Sequence, residues 1–294
     1  MTSDIFAHCR FCKSNSIQPV FEKQDLHIFK CHDCKIVFLG NKINDQAIKN
    51  LYSYYARNKA LNELSPITRL RYEKILDVLE KYRISNKVID VGCGAGHFIM
   101  CAVEKGWQVD GSEISDEAIK LVKNKGYSIF KGDIASIDLE KEKYDAVTLF
   151  EFIEHAADPD GIIAKLSYAL RPGGVIYITT PNYNSLTRKI LGNRWGVFHM
   201  EHQFYYTPKV LISILKKHNF KILKLKTENL SVNEIMNIFK RQPNSDDLKC
   251  CSRRESVRHL IEYNILFFAI KKLINFFLNM CKAGETIYVF AVKG

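Results

Sequence analysis

The sequence predicts an α/β protein: a doubly wound, largely parallel sheet with a small four-cysteine ribbon ahead of it. Three observations predict this. Short apolar runs alternate with helix-like segments from Lys87 onward. The first run, Val88 to Val91, passes through Asp90-Val91-Gly92-Cys93-Gly94-Ala95-Gly96 into an apolar helix-like stretch from His97 to Lys105. That strand–turn–helix order opens nucleotide-binding α/β domains, because glycines let a ligand lie against bare main chain. Two C-x-x-C pairs, Cys9/Cys12 and Cys31/Cys34, stand upstream.

The 294 residues hold one large domain with small additions. A composition of 47% hydrophobic and 26% charged residues is that of a soluble globular protein. The net charge of +11 reads either as a solubilising surface or as attraction to an anionic partner. No RNP-type aromatic motif or dense basic run accompanies it, so nucleic acid is not favoured. The N-terminus lacks a basic, then apolar, secretory pattern, and nine cysteines with four in tight pairs fit a reducing cytoplasm.

Eighteen residues separate Cys12 from Cys31, the spacing of zinc ribbons, in which two hairpin knuckles bring four thiolates to one ion. Phe21, Leu26, Ile28 and Phe29 suggest short strands between them, and Arg10, Lys13 and Lys35 can offset thiolate charge. Lys13 and Lys35 occupy the position after each knuckle that often holds glycine. With four cysteines the zinc is structural, with no open coordination position. A redox C-x-x-C pair is the competing reading, but the helix start it needs is missing.

Residues 44–64, with Tyr52, Tyr54 and Tyr55, read as a cap over a ligand or as plain helix packing. Pro66 marks a helix start, with apolar positions at helical spacing up to Tyr82.

From Lys87 the turn reads G-x-G-x-G with an acid two residues ahead, whereas a dinucleotide turn reads G-x-G-x-x-G. A carboxylate there suits a ligand with a cationic end. The turn resembles motif I of the class I S-adenosylmethionine-dependent methyltransferases, whose glycines wrap the methionine part of the cofactor. Val109 to Glu113 is the next strand; Glu113 at its tip can accept ribose hydroxyls, and Asp110 within the strand is the weaker candidate. Ser128 to Asp133 follows, then a strand Tyr144 to Phe150, Glu151-Phe-Ile-Glu154-His155, Arg171-Pro-Gly-Gly174, a strand Val175 to Thr180, and Pro181-Asn182. This ordered set, over 87–182, resembles the ubiquinone-biosynthesis type of methyltransferase. The resemblance implies a Rossmann-like seven-stranded sheet with the last strand antiparallel. It implies a cofactor pocket of Asp90, Gly92, Cys93, Gly94, Gly96, Glu113, Ile114, Asp133, Ile134, Phe150 and Glu151, with Asp133 near the adenine amino group.

Methyl transfer requires in-line alignment, exclusion of water and, for a hydroxyl acceptor, a base. His155 is the candidate base, its ordinary pKa of ~6.5 being suited to the task, with a structural histidine as the alternative. Glu154 can orient it or bind a metal. The stretch 182–208 is long for a connection and carries Trp195, His199, Glu201, His202, Tyr205 and Tyr206. Related enzymes have a Trp…Glu-His…Tyr-x-x-Pro pattern here, which implies a substrate loop of Trp195, His199, Tyr205 and Tyr206, with His202 as a lesser catalytic candidate. His199, Glu201 and His202 also suggest metal ligands; His202 and Tyr206 as packing residues are the alternative.

Val210 to His218 reads as a helix, Phe220 to Lys226 as a strand and Thr286 to Val292 as the final strand. Residues 242–247 read as a polar loop, and Cys250 and Cys251 as incidental. Residues 259–282 form an apolar helix with a polar stripe at Asn264, Lys271, Asn275 and Asn279, too interrupted to span a bilayer. It is read as buried, as a dimer contact or as a peripheral membrane contact at the inner face.

The domain reading is therefore a zinc-ribbon segment at 1–40, a helical cap or linker at 41–86, a cofactor-binding core at 87–230, and a helical insertion with the closing strand at 231–294. The functional reading is an S-adenosylmethionine-dependent methyltransferase acting on a small-molecule or glycan-precursor acceptor, at oxygen. The rivals are an RNA methyltransferase, against which this chain has Glu151-Phe-Ile-Glu-His155 rather than an N/D-P-P-Y/F motif after the fourth strand, and a non-enzymatic binding protein.

Overall fold

The computed structural model describes residues 5–23, 26–42, 64–231 and 265–294. The proposed tyrosine cap, the polar loop at 242–247, the Cys250–Cys251 pair and the start of the 259–282 helix lie outside the described residues.

Each apolar run becomes a strand, and the strands assemble in the order of a doubly wound sheet. They are β4 (Lys87–Val91), β5 (Gln108–Glu113), β6 (Ser128–Lys131), β7 (Tyr144–Phe150), β8 (Leu170–Pro181), β10 (Phe220–Glu228) and β11 (Thr286–Lys293). Their order is β10-β11-β8-β7-β4-β5-β6. The chain leaves β4 toward β5 and β6, then returns to place β7 on its other flank, so the topological switch lies between β4 and β7. β11 runs antiparallel to both β8 and β10, as the resemblance implied for the last strand.

Both faces of the sheet are covered. Ile89 and Val91 pack with Ile162, Leu166 and Leu211 on one face. Val88 packs with Leu76, Phe98 and Val122 on the other. Helices α1 (Pro66–Leu79), α2 (His97–Glu104), α3 (Asp116–Asn124), α4 (Pro159–Ala169) and α6 (Pro208–Lys217) supply these contacts. Ser65, Asp158 and Thr207 cap α1, α4 and α6, each followed by proline, whose missing N–H costs nothing at a helix start.

Two elements differ from the sequence expectation. The fifth core strand begins at Leu170, before the Arg-Pro-Gly-Gly turn: Tyr144 pairs with Leu170 and Ala146 with Val175, so residues 171–174 bulge out of the ladder. The 182–208 stretch is not irregular either. It contains α5 (Leu186–Leu191), a 3₁₀ turn (Gly192–Arg194) and β9 (Phe204–Tyr205).

β9 belongs to a second sheet. The ribbon strands β1 (Ile17–Lys23), β2 (Leu26–Cys31) and β3 (Val37–Leu39) form an antiparallel meander, and β9 pairs with β3 through Val37↔Tyr205 and Phe38↔Phe204. The ribbon sheet is thus completed from the core's long loop. Cys9, Cys31, Ile36 and Phe38 are fully buried in the same cluster as Phe204 and Tyr206.

The C-terminal helix α7 (Ile265–Met280) does not bury its apolar stripe, the first of the three readings of this segment. Asn279 Oδ1 accepts from Thr227 N (3.0 Å) and Asn275 Oδ1 from Asn229 N (2.9 Å), so these two asparagines serve the backbone at the end of edge strand β10. Leu273, Phe276, Phe277 and Met280 face outward, at 58%, 62%, 51% and 64% exposed. Among the described residues no helix is long and apolar enough to cross a membrane.

Candidate active site

The glycine turn sits at the carboxyl end of β4, beside the switch point. Gly92, Gly94 and Gly96 all have positive φ, a region closed to most side chains. A Cβ on Gly92 would lie 2.6 Å from the Phe152 ring, whereas one on Gly94 would meet nothing within 4 Å. Gly92 is therefore needed for packing; Gly94 borders open space. Gly92 and Cys93 both donate their amides to Ser112 O (2.9 and 3.1 Å), tying the turn to β5.

Two carboxylates flank that space. Asp90 is 2% exposed and accepts from Thr148 Oγ1 at 2.7 Å. Burial raises its carboxyl to about 7, the Thr148 hydrogen bond opposing and the Glu113 charge adding to the rise. A buried carboxylate with no cation beside it among the described residues is a site that a cationic ligand would relieve. Glu113 is engaged by backbone: Oε2 accepts from Gly94 N (3.0 Å), Oε1 from Ile114 N and Ser115 N (2.8 and 2.9 Å). Of a carboxylate's roughly four acceptor directions, one then stays open, on Oε2. Asp110 is structural, accepting from Ser128 Oγ (2.7 Å) and Tyr144 OH (2.8 Å) within the sheet.

The remaining pocket candidates divide. Asp133 is exposed past β6 and closes an Asx turn onto Ala135 N (3.0 Å). Ile114 is exposed at the rim, while Ile134 is buried in the core. Cys93 points inward under the turn, where a Cβ on Gly111 would lie 2.9 Å from its sulfur, so it offers the pocket backbone only. Phe150 packs among Tyr72, Phe98 and Tyr177.

After β7 the chain turns sharply: Glu151 has φ 48°, uncommon for a side-chain-bearing residue, and donates its amide to Thr179 Oγ1 at 3.0 Å. Glu154 is 1% exposed; Oε2 accepts from Thr180 Oγ1 at 3.0 Å and Oε1 is buried without a partner. Burial, reinforced by the neighbouring Glu151 charge, pushes its carboxyl well above the usual range.

His155 and His202 lie edge to face, ring centroids 4.7 Å apart. His155 Nδ1 is 3.1 Å from Glu201 O and His202 Nδ1 is 2.8 Å from Val197 O. A carbonyl only accepts, so both Nδ1 atoms carry the proton and both Nε2 atoms are the basic nitrogens. Burial, with His199 and His155 adding, lowers His202 to about 2. Glu154, His155 and His202 each bring one ligand-type atom within 4.8 Å of the others. The metal trio suggested by sequence is not the one assembled: Glu201 stands 3.8 Å from His199 Nδ1, and His202 joins Glu154 and His155 instead.

Of the loop residues, Trp195, Tyr205 and Tyr206 are buried at 1%, 3% and 0%. Tyr206 OH donates to Ile153 O (3.1 Å), and Trp195 and Tyr205 pack with Ile28, Val37 and Leu39 of the ribbon. These three side chains build the loop rather than line an open surface. Trp195 Nε1 and His199 Nδ1 are buried without a hydrogen-bond partner among the described residues.

The four ribbon cysteines lie with all sulfurs within 4.8 Å, Cys9–Cys34 at 3.7 Å and Cys12–Cys31 at 3.5 Å. Thiolates ~2.3 Å from a tetrahedral ion are about 3.8 Å apart, close to the two sulfur separations given, so the donor set suits one such ion. The Cys34 thiol pulls Cys9 down to about 5 against the effect of burial, marking it as the first thiolate. Lys13 and Lys35 adopt φ 63° and 64°, the left-handed conformation that glycine would hold at lower cost. Sequence reasoning gave Arg10 to the thiolates; its guanidinium instead donates to Gln203 Oε1. Gln203 carried no signal in the sequence, because only the β3–β9 pairing brings it to the ribbon.

A methyltransferase domain family model matches residues 56–225. The ubiquinone biosynthesis O-methyltransferase of Idiomarina loihiensis is 30% identical over 158 residues, 51% of this chain and 61% of that protein. The protein of that name from Shewanella sp. (strain ANA-3) is 28% identical over 202 residues, 64% of this chain and 83% of its own. The chain spans less than two thirds of the length of the first of these relatives. Among solved structures, a SAM-dependent methyltransferase from Archaeoglobus fulgidus superposes with a TM-score of 0.55 at 19% identity, over 82% of this chain and all of that one.

Proposed function

This chain belongs to the methyltransferase domain family, in its class I S-adenosylmethionine-dependent division, and we propose that it methylates a hydroxyl of a small-molecule or glycan-precursor acceptor. The observation that carries the reading is Asp90: among the described residues, a buried carboxylate without a cation, next to a glycine turn that borders open space. S-adenosylmethionine supplies the electrophilic methyl of a sulfonium, and the protein's part is to hold, align and deprotonate. Asp90 takes the ammonium of the methionine end, Glu113 a ribose hydroxyl and Asp133 the adenine amino group. The acceptor lies against Glu154, His155, His199 and the loop above them. His155, its Nδ1–H fixed on Glu201 O, accepts the hydroxyl proton at Nε2 as oxygen bonds the methyl carbon and the carbon–sulfur bond breaks. Zinc in the four-cysteine ribbon is structural. The names of the relatives favour an oxygen acceptor over RNA.

A second reading of the acceptor side rests on the Glu154–His155–His202 cluster. Imidazoles that donate Nδ1–H to backbone carbonyls present Nε2 as metal-ligating histidines do. A divalent cation there would acidify the acceptor hydroxyl directly. Native mass spectrometry separates the two: one bound metal supports His155 as base, and a second, lost on His202→Gln, supports the cation.

Calorimetry with S-adenosylhomocysteine tests the main reading. Wild type is expected to bind below millimolar concentration and Asp90→Asn at least tenfold more weakly. A folded wild type that does not bind overturns the reading.

A further inference from the structure

Arg10 stands between two of the ribbon cysteines, yet its side chain leaves them. The guanidinium lies over the rings of Phe6 and Phe204, 4.8 and 5.2 Å from their centroids, and donates to Gln203 Oε1. The other end of that amide, Gln203 Nε2, donates to His155 O at 2.6 Å. The backbone repeats the link. Gln203 N and Phe204 N both donate to Glu154 O (2.8 and 3.1 Å), and Leu39 N of the ribbon donates to Gln203 O (3.0 Å). One amide side chain, 6% exposed, thus ties a cysteine knuckle to the backbone of the candidate base.

We propose that the ribbon is a brace for the acceptor loop and that Arg10 is a positioning residue that sets His155 through Gln203. The inference rests on the acceptor-side role given to His155 above. Metal binding fixes the Cys9–Cys12 turn and so fixes the root of Arg10. The planar fork can then meet the amide oxygen and stack on Phe204 at once, which an ammonium cannot do. The ribbon face bearing Ile28, Val37 and Leu39 is occupied by Trp195 and Tyr205, so it is committed to this protein's own loop. The cofactor pole hangs on β4 and β5 and shares none of these bonds. Loss of ribbon metal is felt on the acceptor side and spares the cofactor side.

The test uses the full chain with the ribbon loaded with Co²⁺, whose thiolate absorption reports the knuckles. Three quantities are read: hydrogen exchange over 195–206, the ¹⁵N shift of His155 Nδ1, and S-adenosylhomocysteine affinity. Arg10→Gln is expected to speed exchange over 195–206 at least tenfold and to move the His155 signal, with cobalt absorption and affinity within twofold of wild type. Gln203→Glu keeps the Arg10 contact but cannot donate to His155 O, so it is expected to move the His155 signal while loop protection is retained. Arg10→Lys is expected to fall between wild type and Arg10→Gln. An unchanged loop and an unchanged His155 signal in Arg10→Gln overturn the brace. If that variant does not fold, Arg10→Lys and Gln203→Glu decide by the same readings. Failure of wild type to bind S-adenosylhomocysteine would sink the methyltransferase reading, while the exchange pattern still decides the brace.

Discussion

At the scale of single residues, the ammonium contact proposed for Asp90 should link cofactor affinity to pH. Its carboxyl titrates at about 7 in the free protein because burial opposes the charge. Pairing with an ammonium group requires the ionised form, so binding below that pH must release a proton. Affinity for S-adenosylhomocysteine should be flat above pH 8 and weaken about tenfold per unit below pH 6.5. Asp90→Asn should remove the dependence; calorimetry across that range checks both, and an unchanged slope in the variant would refute the assignment. The candidacy of Asp90 was legible in the sequence because an acid two residues before a glycine turn has few other uses, and the structure buries it beside that turn. The state of Glu113 was not: that it grips Gly94 N depends on the β4–β5 register, which no local pattern encodes. His155 stands between these cases. Its place after β7 was readable, but its tautomer depends on the Glu201 carbonyl, 46 residues on in sequence.

At the scale of elements, periodicity located the helices and strands but could not say which way α7 faces. Its apolar and polar stripes were both visible, and burial of the apolar stripe was the natural expectation. The structure turns the asparagines inward because edge strand β10 presents backbone N–H groups that need acceptors. Asn279→Ala should leave the buried Thr227 N–H unpaired and destabilise by about 1–3 kcal/mol, measured as a shift of the urea midpoint at unchanged slope. Asn279→Asp, which keeps an acceptor oxygen, should cost less. β9 escaped sequence reading for a related reason. Two strand residues within a loop give no periodic signal, and their partner strand lies at the other end of the chain.

At the scale of the whole molecule, the seven-stranded sheet and its antiparallel last strand followed from the family resemblance, whereas the union of ribbon and core did not. The core is secured at its base by Asp145, whose side chain is fully buried and accepts from Arg171 Nε (2.5 Å) and the amides of Ile84 and Asn86 (3.0 and 2.7 Å). Burial alone would raise its carboxyl; the Arg171 and backbone hydrogen bonds outweigh it and hold it below the ordinary range. Its stabilisation is therefore complete above the unfolded pKa of ~3.9 and is lost as pH falls through the lower folded value. Arg171→Ala should destabilise by about 3–5 kcal/mol at neutral pH and flatten the acid limb of the stability curve, measured by urea titration at several pH values. The strand exchange between the sheets also carries an order in time. The cysteine knuckles leave the ribosome long before Phe204 and Tyr205 exist, so β3 must wait with an open edge while most of the chain is made. An early ion that locks the knuckles would keep that edge short and stiff until its partner arrives. An ion missing during synthesis would then lower the yield of folded chain, whereas an ion lost from the finished fold would loosen the acceptor side alone.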